Sequence, residues 1–337
     1  MGTNKKGFRD TLDYDSNTIS CFSLKSYTNK DDYSVAILRM QDLEELPPPG
    51  AKRLHWESSP TEFESADLDS LLRYLDRYPT VFGTQRVAQD VLLKRCMDVG
   101  KTEFQNQTLA WRLCDPTVLY VPKPLRYFQS QDEHRSQQSN ILMEFVHGRT
   151  VEDLLTTGKG GNLEVVCAKV FAAVRHLQEV SRGLFSKIGS LHSLETTGFP
   201  WAESTVKLGS LEDLKNNIRQ RCGGQEAFLY TNRLATQAAV LCHLDLVPRN
   251  MMLKDEDDKG SLVILDWATM ANYPPTFELG ATLWWLQCTD DERLCEMQER
   301  LATFLEQSSE TNQQDAILLH LSVDSACSLP CLPDLCY

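Results

Sequence analysis

The sequence has no apolar run long enough to cross a membrane as a helix. Its longest apolar stretches, such as NILMEFV and SLVILDW, are far shorter than the roughly 20 residues that a spanning helix requires. The stretch MGTNKKGFRD lacks the apolar core of a secretory signal, and Lys6 stands where a myristoylation signal has Ser or Thr. We therefore expect a cytoplasmic protein with no membrane partner.

Paired cysteines and basic stripes are also missing. The eleven cysteines are odd in number, and no two have the C-x-x-C spacing of a zinc or redox site. The closest set, Cys327, Cys331 and Cys336, lies in a Pro-containing tail, which favours a free chain end over a metal site. The formal net charge is −13 and Lys and Arg form no stripe, so we expect no nucleic-acid partner.

Apolar residues are numerous enough for a large core in two parts. The chain has 337 residues, of which 42% are hydrophobic, and this length favours two lobes over one continuous domain. Residues 1–60 are predicted to be a partly irregular extension that includes the stiff segment ELPPPG. We predict an N-terminal lobe at 61–145, a C-terminal lobe at 146–320 and a tail at 321–337.

The two predicted lobes differ in secondary structure. In the first, LDSLLRYL and TEFQNQTLAWRL have helical patterns, while TVFGTQRVAQDVLLKRC predicts two or three strands with a turn at Gly83. Two further strands are predicted at VPKPLRYF and NILMEFV. In the second lobe, helices are predicted at NLEVVCAKVFAAVRHLQEV, SLEDLKNNIRQR, QEAFLYTNRLATQAAVL and TDDERLCEMQERLATFL. The expected fold class is α+β.

Polar residues with the spacing H-x-D-x-x-x-x-N occur in CHLDLVPRNMML, from Cys242 to Leu253. Asp245 and Asn250 precede one apolar run, and a second run, LVILDWATM, leads into Asp266. If the two runs are strands of one hairpin, these side chains lie close together. Transfer of a phosphoryl group to a hydroxyl needs a carboxylate for the acceptor proton, magnesium ligands and a cation on the phosphates.

The motif supplies the first two of these requirements. Asp245 suits the carboxylate that orients and deprotonates the acceptor, and Asn250 and Asp266 suit the metal. Each residue alone has a simpler explanation, since an Asp before Trp commonly ends a strand and H-x-D is frequent by chance. Their combination with two apolar strands favours phosphoryl transfer.

The segments HLDLVPRNMML and VILDWATMANYPPTFELG resemble the catalytic core of the aminoglycoside phosphotransferase and choline kinase family, notably its branch common in fungal genomes. D-W in place of D-F-G, followed by Y-P-x-x-F-E, separates this family from protein kinases. The resemblance runs from about Val81 to about Leu286 and implies a two-lobed, protein-kinase-like fold. It implies a small, mostly-β N-terminal lobe that binds nucleotide and a larger, mostly-α C-terminal lobe.

The same resemblance implies a nucleotide site. Adenine is expected at the hinge backbone around Glu144 and Val146, with Met143 beside it, and Lys94 is expected on the phosphates, held by Glu103. Taken alone, Lys94 also fits a surface strand residue, and Glu103 fits a first-turn acid that stabilises a helix. The chain has no G-x-G-x-x-G or P-loop, so its other phosphate contacts stay unassigned. His243 is expected to hold the loop rather than act as a base.

Together these patterns predict an ATP- and magnesium-dependent phosphotransferase acting on a hydroxyl of a small molecule. An inactive kinase-like protein that binds nucleotide or serves as a scaffold is the alternative. A protein kinase is less favoured, because the Gly-rich loop and the A-P-E motif are missing and D-W replaces D-F-G. No oligomeric state is predicted.

Two aspects of the predicted acceptor site stay open. Arg249 fits either neutralisation of phosphate charge or a salt bridge that secures the loop. Net acidity, with Glu278, Asp290 and Asp291 downstream, suits a cationic amine or aminoglycoside-like acceptor, although solvated surface charges explain these acids equally well. Of the adjacent Trp284 and Trp285, one is expected in the core and the other at the acceptor cleft.

Overall fold

The computed structural model describes eleven parts of the chain: residues 54–78, 83–96, 100–131, 137–157, 162–192, 195–196, 206–222, 234, 237–254, 261–286 and 289–308. The predicted tail, its three cysteines and residues 1–53 of the predicted extension lie outside these ranges. None of the helices in them is long and apolar enough to span a membrane.

An antiparallel sheet forms the centre of the N-terminal lobe. Helices α1 (Pro60–Ser65) and α2 (Leu68–Leu75) precede it, and α3 (Gly100–Leu113) lies between its second and third strands along the chain. The strand order is β1-β2-β5-β4. The strands are β1 (Gly83–Ala88), β2 (Val91–Cys96), β4 (Pro124–Gln131) and β5 (Gln137–Glu144), while β3 (Leu119–Tyr120) joins another sheet.

The predicted turn at Gly83 is wrong, because Gly83 opens β1 and pairs with Arg95. Its backbone φ is 123°, a conformation that glycine adopts at low free-energy cost. Glycine can use this conformation at the end of a strand as well as in a turn. The turn instead occupies residues 89–90, where Ala88 pairs with Val91 and closes the hairpin.

The alternation of side chains along β2 determines which of them face the apolar cluster of this lobe and which face the opposite side of the sheet. Val91 and Leu93 are fully buried among apolar residues of α1, α2 and β4. The alternate positions of β2 have the opposite orientation, as a pleated strand requires, and they are Leu92, Lys94 and Cys96. Lys94 therefore lies on the face of the sheet away from this apolar cluster.

The C-terminal lobe is mostly helical. Within the described residues, its α-helices of six residues or more are α4 (Val151–Thr156), α5 (Leu163–Ser181), α6 (Leu211–Cys222), α7 (Thr276–Leu286) and α8 (Glu292–Ser308). Short strands cross it in sheets ordered β3-β11-β10-β6 and β12-β9. These strands are β6 (Gly148–Thr150), β9 (Val240–Cys242), β10 (Met251–Lys254), β11 (Leu262–Ile264) and β12 (Ala271–Tyr273). Two further strands of two residues each, β7 (Glu195–Thr196) and β8 (Val206–Lys207), pair with each other in antiparallel orientation.

This arrangement confirms the predicted α+β, two-lobed, kinase-like fold class, whereas the predicted domain boundaries stay predictions. The helix predicted at QEAFLYTNRLATQAAVL is wrong at its end, where Val240 and Leu241 form β9, and residues 225–233 lie outside the described ranges. Val240 and Leu241 pair with Tyr273 and Asn272 of β12, a long-range pairing that overrides the local helical pattern.

Candidate active site

A β-hairpin brings the two polar motifs together, as the sequence predicts. After β9, the chain passes through Asp245 and a 3-10 turn at Pro248–Asn250, then enters β10. Met251 at the start of β10 pairs with Ile264 at the end of β11. The N–H of Leu265 donates to the carbonyl of Asn250 over 2.8 Å, so Asn250 lies beside the residue that precedes Asp266.

The two carboxylate oxygens of Asp245 have different surroundings. Oδ2 accepts a hydrogen bond of 2.7 Å from Nδ2 of Asn250, which also donates to the Asp245 carbonyl. Oδ1 is buried and, within the described residues, has no hydrogen-bond partner, although Nη2 of Arg249 lies 3.7 Å away. Burial raises the pKa of Asp245 to about 6, against the opposing influence of Arg249. The loop thus fixes one oxygen of the carboxylate by a hydrogen bond and leaves the other without a partner among the described residues.

Lys94 lies between two acids from different lobes. Its Nζ donates to Oε1 of Glu103 over 2.7 Å and to Oδ1 of Asp266 over 2.9 Å. Burial lowers the pKa of Lys94, but both carboxylates outweigh it and the net pKa is raised. At Asp266 burial raises the pKa, but Lys94, together with His243 and the N–H of Ala268, outweighs it and the net pKa is lowered. At Glu103 burial dominates and raises the pKa. Lys94 is therefore neither a surface residue nor independent of Glu103.

Glu278, at the start of α7, supports the loop from below. Its Oε1 accepts from the N–H of Leu244 over 2.9 Å, and its Oε2 accepts from the N–H of His243. Burial raises the pKa of this carboxyl group to about 7. Leu244 has a φ of 66°, a left-handed conformation that costs free energy in a residue other than glycine and needs such support. The sequence left Glu278 open between attraction of a cationic acceptor and a solvated surface charge, whereas its side chain is buried and both of its oxygens accept backbone N–H groups.

His243 holds the loop by its imidazole. Nε2 lies 3.0 Å from the carbonyl of Leu265, and Nδ1 accepts from the N–H of Asp245 over 3.3 Å. Burial lowers the His243 pKa to about 4, so the ring is neutral at neutral pH. Both nitrogens are engaged by backbone, which agrees with the expected structural role.

Asn106 is a second supporting residue that sequence analysis missed. It is fully buried on α3, and its Nδ2 lies within hydrogen-bond distance of the carbonyls of Trp267, Ala268 and Met270. Helix α3 thereby holds the segment after Asp266 by Asn106, and Asp266 itself through Lys94 and Glu103. Its position one turn after Glu103 was the available signal, since both residues lie on the same helix face.

The hinge residues lie at the end of β5. Met143 is 5% exposed and Val146 is 7% exposed. The N–H of Glu144 donates to the carbonyl of Lys123 over 2.9 Å, and its carboxylate accepts from the hydroxyl of Tyr120. The Glu144 N–H is therefore already used, which narrows the predicted adenine contact at this residue to its carbonyl.

Arg249 lies beside Asp245 on the side opposite the Asn250 contact. Its guanidinium carbon is 4.7 Å from the ring centroid of Trp285, and the indoles of Trp284 and Trp285 meet edge to face. Trp284 packs against an apolar cluster that includes Leu244. Both tryptophans are half-buried: Trp284 packs against the core and Trp285 lies beside Arg249, while a position at the acceptor cleft stays a prediction.

The predicted magnesium ligands fit a cation that enters with phosphate. Within the described residues, no group of three His, Cys, Asp or Glu side chains is arranged to hold a metal by itself. Mg²⁺ commonly takes one or two carboxylates together with substrate phosphates and water. Because Nδ2 of Asn250 is directed at Asp245, its amide oxygen is the atom suited to a cation.

Comparisons with known proteins find distant structural similarities. The solved structure of an aminoglycoside 3'-phosphotransferase of type VIII is 15% identical, with a TM-score of 0.45, 77% of this chain and 98% of that chain covered. An aminoglycoside phosphotransferase from Streptomyces rimosus, in complex with ADP and streptomycin, is 13% identical with a TM-score of 0.43, covering 70% and 86%. No curated protein sequence matches the chain.

The assignment rests on sequence rather than on these distant structural similarities. The model of the phosphotransferase enzyme family (APH) matches residues 82–309, more than half of the chain. This match includes Lys94, Glu103, Asp245, Asn250 and Asp266. The chain belongs to the phosphotransferase enzyme family.

Proposed function

We propose that the protein transfers the γ-phosphoryl group of ATP to a hydroxyl of a small molecule, with magnesium. The observation that carries this proposal is the buried Oδ1 of Asp245, which has no hydrogen-bond partner in the described residues. A buried oxygen that receives no hydrogen bond costs free energy unless a ligand donates one to it. An acceptor hydroxyl that donates to Oδ1 removes this cost and is oriented at the same time.

The proposed step is an in-line displacement. The acceptor oxygen forms a bond to the γ-phosphorus as the bond between that phosphorus and the β,γ-bridging oxygen breaks, and ADP leaves with the bridging electron pair. The hydroxyl proton passes to Oδ1 of Asp245. The hydrogen bond from Asn250 holds the other oxygen and keeps the carboxylate oriented.

Lys94 is proposed to contact the phosphates. An ammonium group has three N–H donors, and Glu103 and Asp266 account for two of them. The third is available to a phosphate oxygen. Magnesium, held by Asn250 and Asp266, would neutralise charge that develops on the phosphates.

Adenine is proposed to bind the hinge through the carbonyl of Glu144 and the N–H of Val146. Met143 forms the apolar wall beside it, where Nε2 of Gln107 contacts its sulfur at 3.7 Å. A buried methionine is adaptable in shape and suits a planar ring.

The test is magnesium-dependent release of ADP from ATP by the full chain, measured against a panel of hydroxylated compounds. We expect turnover with at least one small acceptor and none with chelator present. Tight binding of magnesium and ATP without turnover of any acceptor would support the inactive, kinase-like alternative instead.

A further inference from the structure

The acceptor side of Asp245 carries a fixed positive charge. The guanidinium of Arg249 lies 3.7 Å from Oδ1 of Asp245, the oxygen proposed to receive the acceptor proton. A hydroxyl bound at Oδ1 therefore lies beside this guanidinium. The side chain of Arg249 is 51% exposed, so it is accessible to a ligand from the open side.

Trp285 holds this charge in place. The guanidinium carbon lies 4.7 Å from the indole centroid, within the range of a cation–π contact. Within the described residues, the Arg249 guanidinium makes no hydrogen bond, and its contact with Asp245 is an ion pair at 3.7 Å. A guanidinium has five N–H donors in a planar fork that matches a carboxylate. Its fork thus has donors available for a group on the acceptor.

The acids that would suit a cationic acceptor are largely used elsewhere. Both oxygens of Glu278 accept backbone N–H groups beneath the loop. Oδ1 of Asp291 accepts from the N–H groups of Arg293 and Leu294 and caps α8. Asp290 is exposed at the approach to that helix. Within the described residues, the charged group in contact with Oδ1 of Asp245 is therefore the cation of Arg249.

We infer that Arg249 and Trp285 form an acceptor subsite that selects a hydroxylated compound with a carboxylate near the reacting hydroxyl. The carboxylate pairs with the guanidinium fork while the hydroxyl donates to Oδ1 of Asp245. A cationic group at the same place is repelled by Arg249. This subsite rests on the proposed function, since it defines which acceptor the phosphotransferase takes.

The test uses acceptors that share a carbon skeleton and differ in charge. Two sets serve: glycerate, glycerol and 2-aminopropane-1,3-diol; and glucuronate, glucose and glucosamine. The rate of ADP release at low acceptor concentration reports kcat/KM for each. We expect the anionic member to exceed the others by about tenfold in the wild type, and this preference to fall to about twofold or less in Arg249→Gln.

The matched control is Arg175→Gln. Arg175 on α5 also places a guanidinium over an aromatic ring, 5.3 Å from the centroid of Phe304, but outside the loop. Arg175→Gln should leave the preference for the anionic acceptor unchanged. A preference for the neutral or cationic member, or the same anionic preference in Arg249→Gln, overturns the inference.

A second measurement does not depend on turnover. With magnesium and ADP present, anionic members should raise the melting temperature of the wild type and of Arg175→Gln, and not that of Arg249→Gln. Stabilisation that ignores ligand charge, or none by any member, overturns the subsite. Turnover without charge preference overturns the subsite and leaves the phosphotransferase function standing. Anion binding at Arg249 without turnover of any acceptor overturns the phosphotransferase function and leaves the anion-binding site at Arg249 standing.

Discussion

Asp245 and Asp266 are both carboxylates in the cleft, but their neighbours differ. Asp245 is held by an amide and has one unpaired buried oxygen, whereas Asp266 pairs with an ammonium group. The first arrangement suits a group that accepts a proton, and the second suits a group that stays ionised beside cations. The two residues should therefore fail in different ways when they are neutralised.

Asp245→Asn should lower the single-turnover rate by about 10²–10⁴ while magnesium-ATP binds nearly as in the wild type, because only the proton acceptor is lost. Asp266→Asn should weaken nucleotide binding in the presence of magnesium as well as the rate, because a neutral amide replaces a charged ligand. Calorimetric titration beside single-turnover kinetics separates these effects. Loss of nucleotide binding in Asp245→Asn, with normal binding and rate in Asp266→Asn, would reverse the assigned roles.

Lys94 is a structural cation as well as a proposed phosphate contact. Its side chain is 18% exposed and that of Glu103 is 1% exposed, so Lys94→Ala leaves a buried carboxylate unpaired. We expect the free energy of unfolding to fall by about 3–5 kcal/mol, and the double variant Lys94→Ala/Glu103→Gln to recover part of it. Urea unfolding measures both.

The control for Lys94 is Lys123→Ala. Lys123 pairs with Glu64 at the surface, where the two side chains are 34% and 43% exposed. Loss of that pair should cost about 0–1 kcal/mol. An equal loss in the free energy of unfolding for Lys94→Ala and Lys123→Ala would contradict the claim that the buried Lys94 pair matters more to stability than the surface pair.

At the scale of elements, two helices hold the short strands of the cleft. Helix α7 supports the loop after β9 through Glu278, and α3 supports the segment after β11 through Asn106. Each contact replaces backbone pairing that the short strands do not supply. The orientation of Asp245 and Asp266 thus depends on side chains from distant helices.

Stability should depend on pH through Glu278. Burial raises its pKa from 4.5 to about 7, so the folded protein binds a proton in this window that the unfolded chain releases. The free energy of unfolding contributed by this group is therefore fully present below about pH 4.5 and is lost as the pH rises through about 7. Glu278→Gln should flatten the fall in melting temperature between pH 5 and pH 8.

The comparison for Glu278 is Glu64→Gln, which changes an exposed glutamate of the N-terminal lobe. This variant should keep the wild-type slope. The same slope in Glu278→Gln would show that the buried carboxyl group does not take up a proton on folding.

At the scale of the whole molecule, the proposed nucleotide site joins both lobes. Lys94, Glu103 and the hinge belong to the N-terminal lobe, while Asn250 directly precedes β10 and Asp266 follows β11 in the C-terminal lobe. One direct link between the lobes is the ion pair of Lys94 with Asp266, whose residues are 172 positions apart, and the hydrogen bond from Asn106 to the carbonyl of Trp267 is another. A ligand that contacts both lobes should stabilise them together.

Magnesium with ATP should therefore stabilise the folded protein, by about 2.7 kcal/mol at a hundredfold excess over the dissociation constant. ATP with chelator should stabilise it much less, because the triphosphate and Asp266 then repel one another. Differential scanning calorimetry with and without chelator measures the difference. Equal stabilisation in both conditions would contradict a site bridged by metal.

The sequence alone determined much of the fold and the identity of the candidate residues. Strand alternation, helical periodicity and the H-x-D-x-x-x-x-N spacing are local properties, so they predicted the β10–β11 hairpin and the residues it would bring together. Local signals were misleading at Gly83, where a turn residue opens a strand, and at Val240 and Leu241, where a helical pattern ends in β9.

Only the tertiary structure decided how these residues are used. Three features depend on contacts between residues far apart in sequence: the support from Glu278, the support from Asn106 and the contact of Arg249 with Trp285. A fourth, the unpaired Oδ1 of Asp245, depends on the orientation of that side chain. Residue spacing carries no information on such contacts, because burial and side-chain direction arise only when separate elements pack. For the same reason, the net charge of −13 fitted a cationic acceptor and solvated surface acids equally well, whereas the anionic acceptor proposed above depends on the position of Arg249 beside Asp245.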